Sequence, residues 1–321
     1  MTDYKAIFGK KIKFLTTDLT MSTATEGELF YSDTDSKFKV GVFVQAWSSG
    51  TNLPNATGGC RGLGTQTAGL VTAGRVSGTG ITETYEYDGT DWTAGGDVNQ
   101  ARAYHAAMGT QTAGLACGGA DGGDANSEEY DGSSWTEGDN LNTGRNYLGC
   151  AGTQTAGLVI CGNPPPMANV EEYNGTSWSE VTNNPTARRT ISSIGTQTAA
   201  IAVGNNASTS TQTELYDGTN WTEGPAINTG RKYLGGFGIQ TSALVMGGTT
   251  PSPGDINATE TYDGTSWTTS PATLATARYD TAAAGTTDAG FVAGKAAGAG
   301  SVDASVEKWN KLATARTVDT T

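Results

Sequence analysis

An all-β chain built from repeated four-stranded units is the fold class this sequence predicts, and three observations carry the prediction. The heptapeptide GTQTAGL occurs at Gly64–Leu70, Gly109–Leu115 and Gly152–Leu158, and returns in altered form at Gly195–Ile201, Gly238–Leu244 and Gly285–Phe291. The steps between copies are 45, 43, 43, 43 and 47 residues, a fixed period of the length that marks repeat architectures. In five units a Tyr stands five residues before a Trp: Tyr87–Trp92, Tyr130–Trp135, Tyr173–Trp178, Tyr216–Trp221 and Tyr262–Trp267. Asp-Gly or Asn-Gly follows each of those Tyr, and such dipeptides tolerate positive φ and nucleate tight hairpins.

Each unit reads as four short strands. The first begins near an Arg and runs into GTQT, as in Arg102–Met108, with Gln-Thr serving as a turn. The second is the apolar run that follows, such as Gly114–Gly119 or Gly157–Gly162. The third carries Glu then Tyr, as in Glu129-Tyr130 and Glu172-Tyr173, and the fourth carries the Trp.

An Arg near the first strand, an apolar run ending in Gly, a Tyr and then a Trp together resemble the kelch repeat, over roughly residues 43–316. The kelch double glycine stands at Gly118-Gly119 and Gly247-Gly248, with a single Gly in the other units. The resemblance implies a β-propeller, and the two chain ends set its blade number. The sixth unit has three strands, from Arg278, through Gly290–Gly294, to Ser305–Trp309, where Trp309 takes the place of Tyr. Its fourth is missing, because Leu312–Arg316 follows almost at once, while Val42–Trp47 is an orphan fourth strand 45 residues before Trp92. One strand from the N-terminus would complete the last blade and remove its free edge. The expected fold is therefore a six-bladed kelch-like β-propeller over residues 41–321, closed by an N-terminal strand. Its blades centre on Trp92, Trp135, Trp178, Trp221 and Trp267, with a closing blade that combines Val42–Trp47 with 278–310.

Ahead of it, residues 1–40 form an expected anchoring segment. Within Gly27–Trp47, two β-prone runs at Glu28–Ser32 and Lys37–Val44 flank an Asp- and Ser-rich turn and read as a hairpin. This stretch resembles the N-terminal segments of bacteriophage tail fibres and related virion appendages. The resemblance implies a virion structural protein, attached to other virion proteins through that segment and presenting its propeller for host attachment to a cell-surface glycan or protein. A capsid-decoration, neck or tail spacer subunit that contacts only other virion proteins is the alternative.

Composition narrows the partners. The chain has 321 residues, a formal net charge of −13 and a sequence pI near 4.5. Binding nucleic acid requires clustered Lys and Arg to neutralise phosphates, so nucleic acid is not an expected partner. No apolar run approaches the ~20 residues that span a bilayer, so no membrane insertion is expected. The N-terminus lacks an apolar secretory core, which fits assembly in a host cytoplasm and localisation to the virion. Cys60, Cys117, Cys150 and Cys161 have no metal-ligand spacing and read as small buried strand residues. No cofactor or metal is expected, and the oligomeric state, a homo-oligomer included, is left open.

Chemistry must be argued from a site rather than from a fold. The single His, His105, lies beside Ala and Met in a first strand and reads as structural, or as one polar group at the channel. A catalytic site is normally singular, whereas the polar groups here recur once per unit, so an enzyme is not expected and a glycan-active one is the least favoured reading. The clearest constellation is an Arg seven residues before each GTQT, at Arg102, Arg145, Arg188, Arg231 and Arg278, with Thr57 in the first unit. Tyr follows two residues on at Tyr104, Tyr147 and Tyr233, and one residue on at Tyr279. At a channel mouth these nine residues would clamp an anionic group and stack on sugars. Alternatively, each Arg pairs with a neighbouring Glu or a blade carbonyl, which near-perfect repetition favours. The loops between second and third strands differ in every unit: Arg75–Gly80, Ala120–Asn126, Asn163–Asn169, Asn205–Gln212, Thr249–Asn257 and Lys295–Asp303. They should share the face opposite GTQT, and recognition tends to sit on variable loops of a rigid scaffold.

Overall fold

The computed structural model describes residues 3–7, 10–15, 29–34, 36–119, 124–206, 209–296 and 302–318. Every regular element among them is a β-strand, and the chain divides into two compact units. One is Trp47–Trp309; the other joins Met1–Ala46 with Asn310–Thr321. Parts of the expected anchoring segment 1–40, and of the loops Ala120–Asn126, Asn205–Gln212 and Lys295–Asp303, lie outside the described residues.

In the smaller unit, β1 (Asp3–Ile7) runs antiparallel to β2 (Lys10–Leu15), and β2 runs parallel to β3 (Leu29–Ser32). β3 and β4 (Lys37–Ser49) form the hairpin read from the sequence, in register from Leu29↔Val40 to Ser32↔Lys37. Tyr31 and Phe38 meet edge-on across it at 5.3 Å.

The larger unit is a six-bladed β-propeller. Blade 1 is β5 (Arg61–Thr65), β6 (Ala68–Val76), β7 (Thr79–Tyr87) and β8 (Trp92–Ala94). Blade 2 is β9 (Ala106–Thr110), β10 (Ala113–Cys117), β11 (Ser127–Tyr130) and β12 (Trp135–Glu137). Blade 3 is β13 (Gly149–Thr153), β14 (Ala156–Gly162), β15 (Met167–Tyr173) and β16 (Trp178–Val181). Blade 4 is β17 (Ser192–Thr196), β18 (Ala199–Val203), β19 (Thr213–Tyr216) and β20 (Trp221–Glu223). Blade 5 is β21 (Gly235–Ile239), β22 (Ser242–Met246), β23 (Thr259–Tyr262) and β24 (Trp267–Thr269). Blade 6 takes β25 (Ala282–Gly285), β26 (Ala289–Ala296) and β27 (Val302–Thr317), and its fourth strand is β4.

That closing strand follows the pattern of the others in one respect the sequence left open. The fourth strand of each other blade starts at its Trp, and within the propeller β4 likewise contributes Trp47–Ser49, whereas the expected span ended at Trp47. The Trp47 and Trp309 rings lie 5.3 Å apart, close to the 4.6 Å of Tyr87 and Trp92 in blade 1. Just beyond β4, Gly50 N–H donates to the Val306 carbonyl at 2.8 Å. β27 does not stop at Trp309, so Leu312–Arg316 is strand.

The second strands read as unbroken apolar runs because both of their faces are buried. Leu158 and Ile160 point into the interface of blades 3 and 4, whereas Val159 between them points into that of blades 2 and 3. The described core accordingly resolves into six hydrophobic clusters, one per blade interface, including that between blades 6 and 1.

GTQT does more than turn the chain. Its Gly sits at positive φ in every unit, and a Cβ on Gly109 would lie 2.3 Å from the Ala113 carbonyl oxygen, so no larger residue fits. The Gln side chain reaches into the preceding blade. Gln111 Nε2 donates to the carbonyls of Gly69 and Tyr87 at 3.0 and 2.8 Å, and Gln154, Gln197 and Gln240 repeat the pattern. Gln66 closes the ring by donating to Gly290 and Trp309 carbonyls of blade 6, at 2.8 and 2.7 Å. The Asp-Gly hairpins are four-residue loops. In the first, Asp88 Oδ1 accepts from the Thr90 hydroxyl at 2.6 Å and from the N–H groups of Thr90 and Asp91 at 2.7 and 2.8 Å, which holds its carboxyl down at about 2.

Candidate functional site at the axial mouth

The five repeated Arg do not reach the mouth. Each is buried, and each ties two blades together. The Arg102 backbone pairs with blade 1, donating to the Ile81 carbonyl and accepting from Gly74 N–H. Its side chain donates to the Gly118 and Asn126 carbonyls and meets Glu128 at 2.5 Å in blade 2. Arg145–Glu171, Arg188–Glu214, Arg231–Glu260 and Arg278–Glu307 repeat the ion pair. A buried guanidinium needs such a partner, and blade 1 shows the rule by exception: Thr57 stands where Arg would be, and Tyr85 where its Glu would be. Both charges are lost together.

Two residues after each Arg position the chain turns left-handed. Gly59, Tyr104, Tyr147, Thr190, Tyr233 and Asp280 all have φ between 50° and 66°. Each donates its N–H to the carbonyl of its counterpart one blade earlier. Tyr104 donates to Gly59, Tyr147 to Tyr104, Thr190 to Tyr147, Tyr233 to Thr190 and Asp280 to Tyr233, at 2.8–3.1 Å; Gly59 then donates to Asp280 at 2.9 Å. The result is a closed backbone ring around the propeller axis, and its membership fixes the blade number at six.

On one side of that ring the first strands surround a cavity of about 120 Å³ lined by Arg61, Ser192, Ser193 and Asp280 among others. On the other side opens a wider cavity of about 490 Å³, the mouth. Its lining joins Tyr104, Tyr147, Tyr233, Tyr279 and Asp280 to Arg75, Lys232 and the stretch Thr249–Pro251 with Asp255. The mouth thus lies on the face of the variable loops, two of which supply part of its wall. One of those is not a loop throughout. β6 and β7 extend to a two-residue turn at Ser77-Gly78, both at positive φ, which places Arg75 on a strand.

The tyrosines pack on each other. Tyr104 and Tyr147 stack at 4.1 Å, Tyr147 meets Tyr233 at 5.9 Å, and Tyr233 meets Tyr279 at 5.7 Å. Gly59 leaves space that the Tyr104 ring fills, since a Cβ there would lie 2.8 Å from it. Burial, with Asp280 nearby, pushes the Tyr233 hydroxyl up to about 12, so the ring stays neutral. Arg75 lies over the Tyr104 ring at 4.9 Å and Lys232 over the Tyr233 ring at 5.3 Å. Asp280 is 7% exposed, and no hydrogen-bond donor among the described residues reaches its carboxylate. Burial raises its carboxyl to about 6, against the pull of Arg61, Arg75 and Lys232.

Of the nine candidate residues, the structure therefore brings Tyr104, Tyr147, Tyr233 and Tyr279 together and buries Arg102, Arg145, Arg188, Arg231 and Arg278 in the scaffold. It adds Arg75, Lys232 and Asp280. Asp280 was findable by aligning the units, because it takes the Tyr104 position; Arg75 and Lys232 carry no repeat signal. His105 is buried, with Nε2 3.0 Å from Thr72 Oγ1 of blade 1, and burial holds its imidazole neutral. All four cysteines are free thiols, and burial raises Cys60, Cys150 and Cys161 to about 11. Among the described residues no group of three or more His, Cys, Asp or Glu is placed to hold a metal ion. No protein-family model and no curated protein sequence matches this chain.

Proposed function

We propose that this chain is a non-catalytic recognition protein, a kelch-like propeller of a bacteriophage virion appendage of tail-fibre type. Its loop face would bind a bacterial surface saccharide or protein, and the segment ahead of the propeller would join other virion proteins. The observation that carries the reading is the tyrosine-lined mouth. Tyr147, Tyr233 and Tyr279 stay partly exposed around a cavity, on the face where the units differ most. Stacked aromatic rings are rigid, broad and amphipathic, and they bind at low cost in conformational entropy. The repeated Arg and the turn Gln, each present in five of the six blades, are engaged in blade-to-blade bonding, which leaves the mouth residues as those available to a ligand. The hairpin of β3 and β4 carries the likeness to phage fibre segments.

The test is binding of the labelled full-length protein to candidate bacterial host cells, beside Tyr147→Ala and Tyr233→Ala variants. Saturable binding that each substitution weakens at least tenfold is expected. Binding unaffected by either substitution, or its absence while purified virions carry the chain, would overturn the receptor reading; in the second case the chain serves only other virion proteins.

A further inference from the structure

We infer that the mouth takes an acidic saccharide, its carboxylate met by Arg75 and Lys232 and a sugar ring carried by the tyrosines; this rests on the surface-binding reading above. The two cations set it apart. Neither makes an ion pair among the described residues, whereas all five repeated Arg do. Both are held in place by the backbone. Arg75 exchanges two backbone hydrogen bonds with Gly58 at 2.8 and 3.2 Å, and Lys232 two with Thr249 at 2.9 and 3.2 Å. Each head group lies over a tyrosine that lines the cavity, so an anion that binds there meets two preorganised charges on an aromatic bed.

A bare anion would not satisfy the site. Asp280 lines the same cavity, buried and without a hydrogen-bond donor among the described residues, and as an ionised carboxylate it can only accept. Its match is a hydroxyl. Asp255 stands at the same lining as a second acceptor. A ligand that presents one carboxylate, several hydroxyls and a broad apolar ring face is a uronic-acid sugar. A polyphosphate would offer neither a hydroxyl donor for Asp280 nor an apolar ring face for the tyrosines.

The experiment titrates the full-length protein with oligogalacturonate and alginate oligomers, and with the same oligomers as neutral methyl esters, by calorimetry. At least one free acid should bind tenfold or more tightly than its ester. Arg75→Gln with Lys232→Gln should bring that ratio to within about twofold at an unchanged melting temperature, and Asp280→Asn should weaken the ester, which has no charge for the cations to meet. Equal affinity for acid and ester, or a preference that survives the double substitution, overturns the acidic-sugar assignment and leaves a neutral-ligand mouth. Binding of none of the four probes also overturns it. The surface-binding reading falls separately, on cells that take up wild type and the tyrosine variants alike.

Discussion

Gly59 N–H donates to the Asp280 carbonyl at 2.9 Å, and this bond turns five steps between neighbouring blades into a closed ring. Gly59 holds a φ of 66°, and a Cβ there would press to 2.8 Å on the Tyr104 ring. Gly59→Ala should therefore destabilise the propeller by about 1–3 kcal/mol, combining left-handed strain with displacement of Tyr104. Equilibrium denaturation in urea reads this out, and an unchanged midpoint would mean that a Cβ at this position is accommodated without strain.

The glutamine clasp makes a second prediction. Gln111→Leu removes the donor shared by the Gly69 and Tyr87 carbonyls, and Gln66→Leu removes the one shared by Gly290 and Trp309. Each should cost about 1–3 kcal/mol, the scale for buried acceptors left without a partner. In a closed ring the interface of blades 6 and 1 has the same standing as any other, so the two losses should agree within about 1 kcal/mol. A much smaller loss for Gln66→Leu would show that blade 6 is held by other means.

The buried ion pairs predict strong non-additivity. Arg231 and Glu260 meet at 2.7 Å, and each is almost wholly buried. Arg231→Met or Glu260→Leu alone should cost about 3–5 kcal/mol, because either leaves an unpaired buried charge. The double substitution should cost clearly less than their sum, as the neutral Thr57 and Tyr85 of blade 1 suggest. Additive losses in a double-mutant cycle would mean that the two side chains do not act as a pair.

The repeat made the strands, the Trp positions and the blade number legible, because both-face burial writes itself as apolar runs with a fixed period. What connects the blades was harder to read. Gln111 acts on carbonyls 24 and 42 residues earlier, and nothing local separates that role from a turn residue. The Arg–Glu pairs did leave a trace, since each Glu follows its Arg by 26 to 29 residues and both vanish together in the first unit. The mouth was half legible: Tyr104 and Tyr147 recur, whereas Arg75 and Lys232 occur once each, and only the folded ring brings them to one cavity.

Asp280 supplies a pH signature. Its carboxyl lies at about 6 in the folded protein against 3.8 as the ordinary value, because burial disfavours the charged form more than Arg61, Arg75 and Lys232 restore it. Between those two pH values the folded state holds a proton that the unfolded state has released, so this group's contribution to stability falls as pH rises from about 4 to 6 and is constant above. The full difference is about 3 kcal/mol, at roughly 1.4 kcal/mol per unit. Asp280→Asn removes the titration while keeping the shape. The variant should thus gain up to that amount over wild type at pH 8 and little at pH 4, measured as paired urea denaturations across the range. A gain independent of pH would show that the carboxylate is not desolvated, and with it the case for a hydroxyl partner at the mouth would weaken.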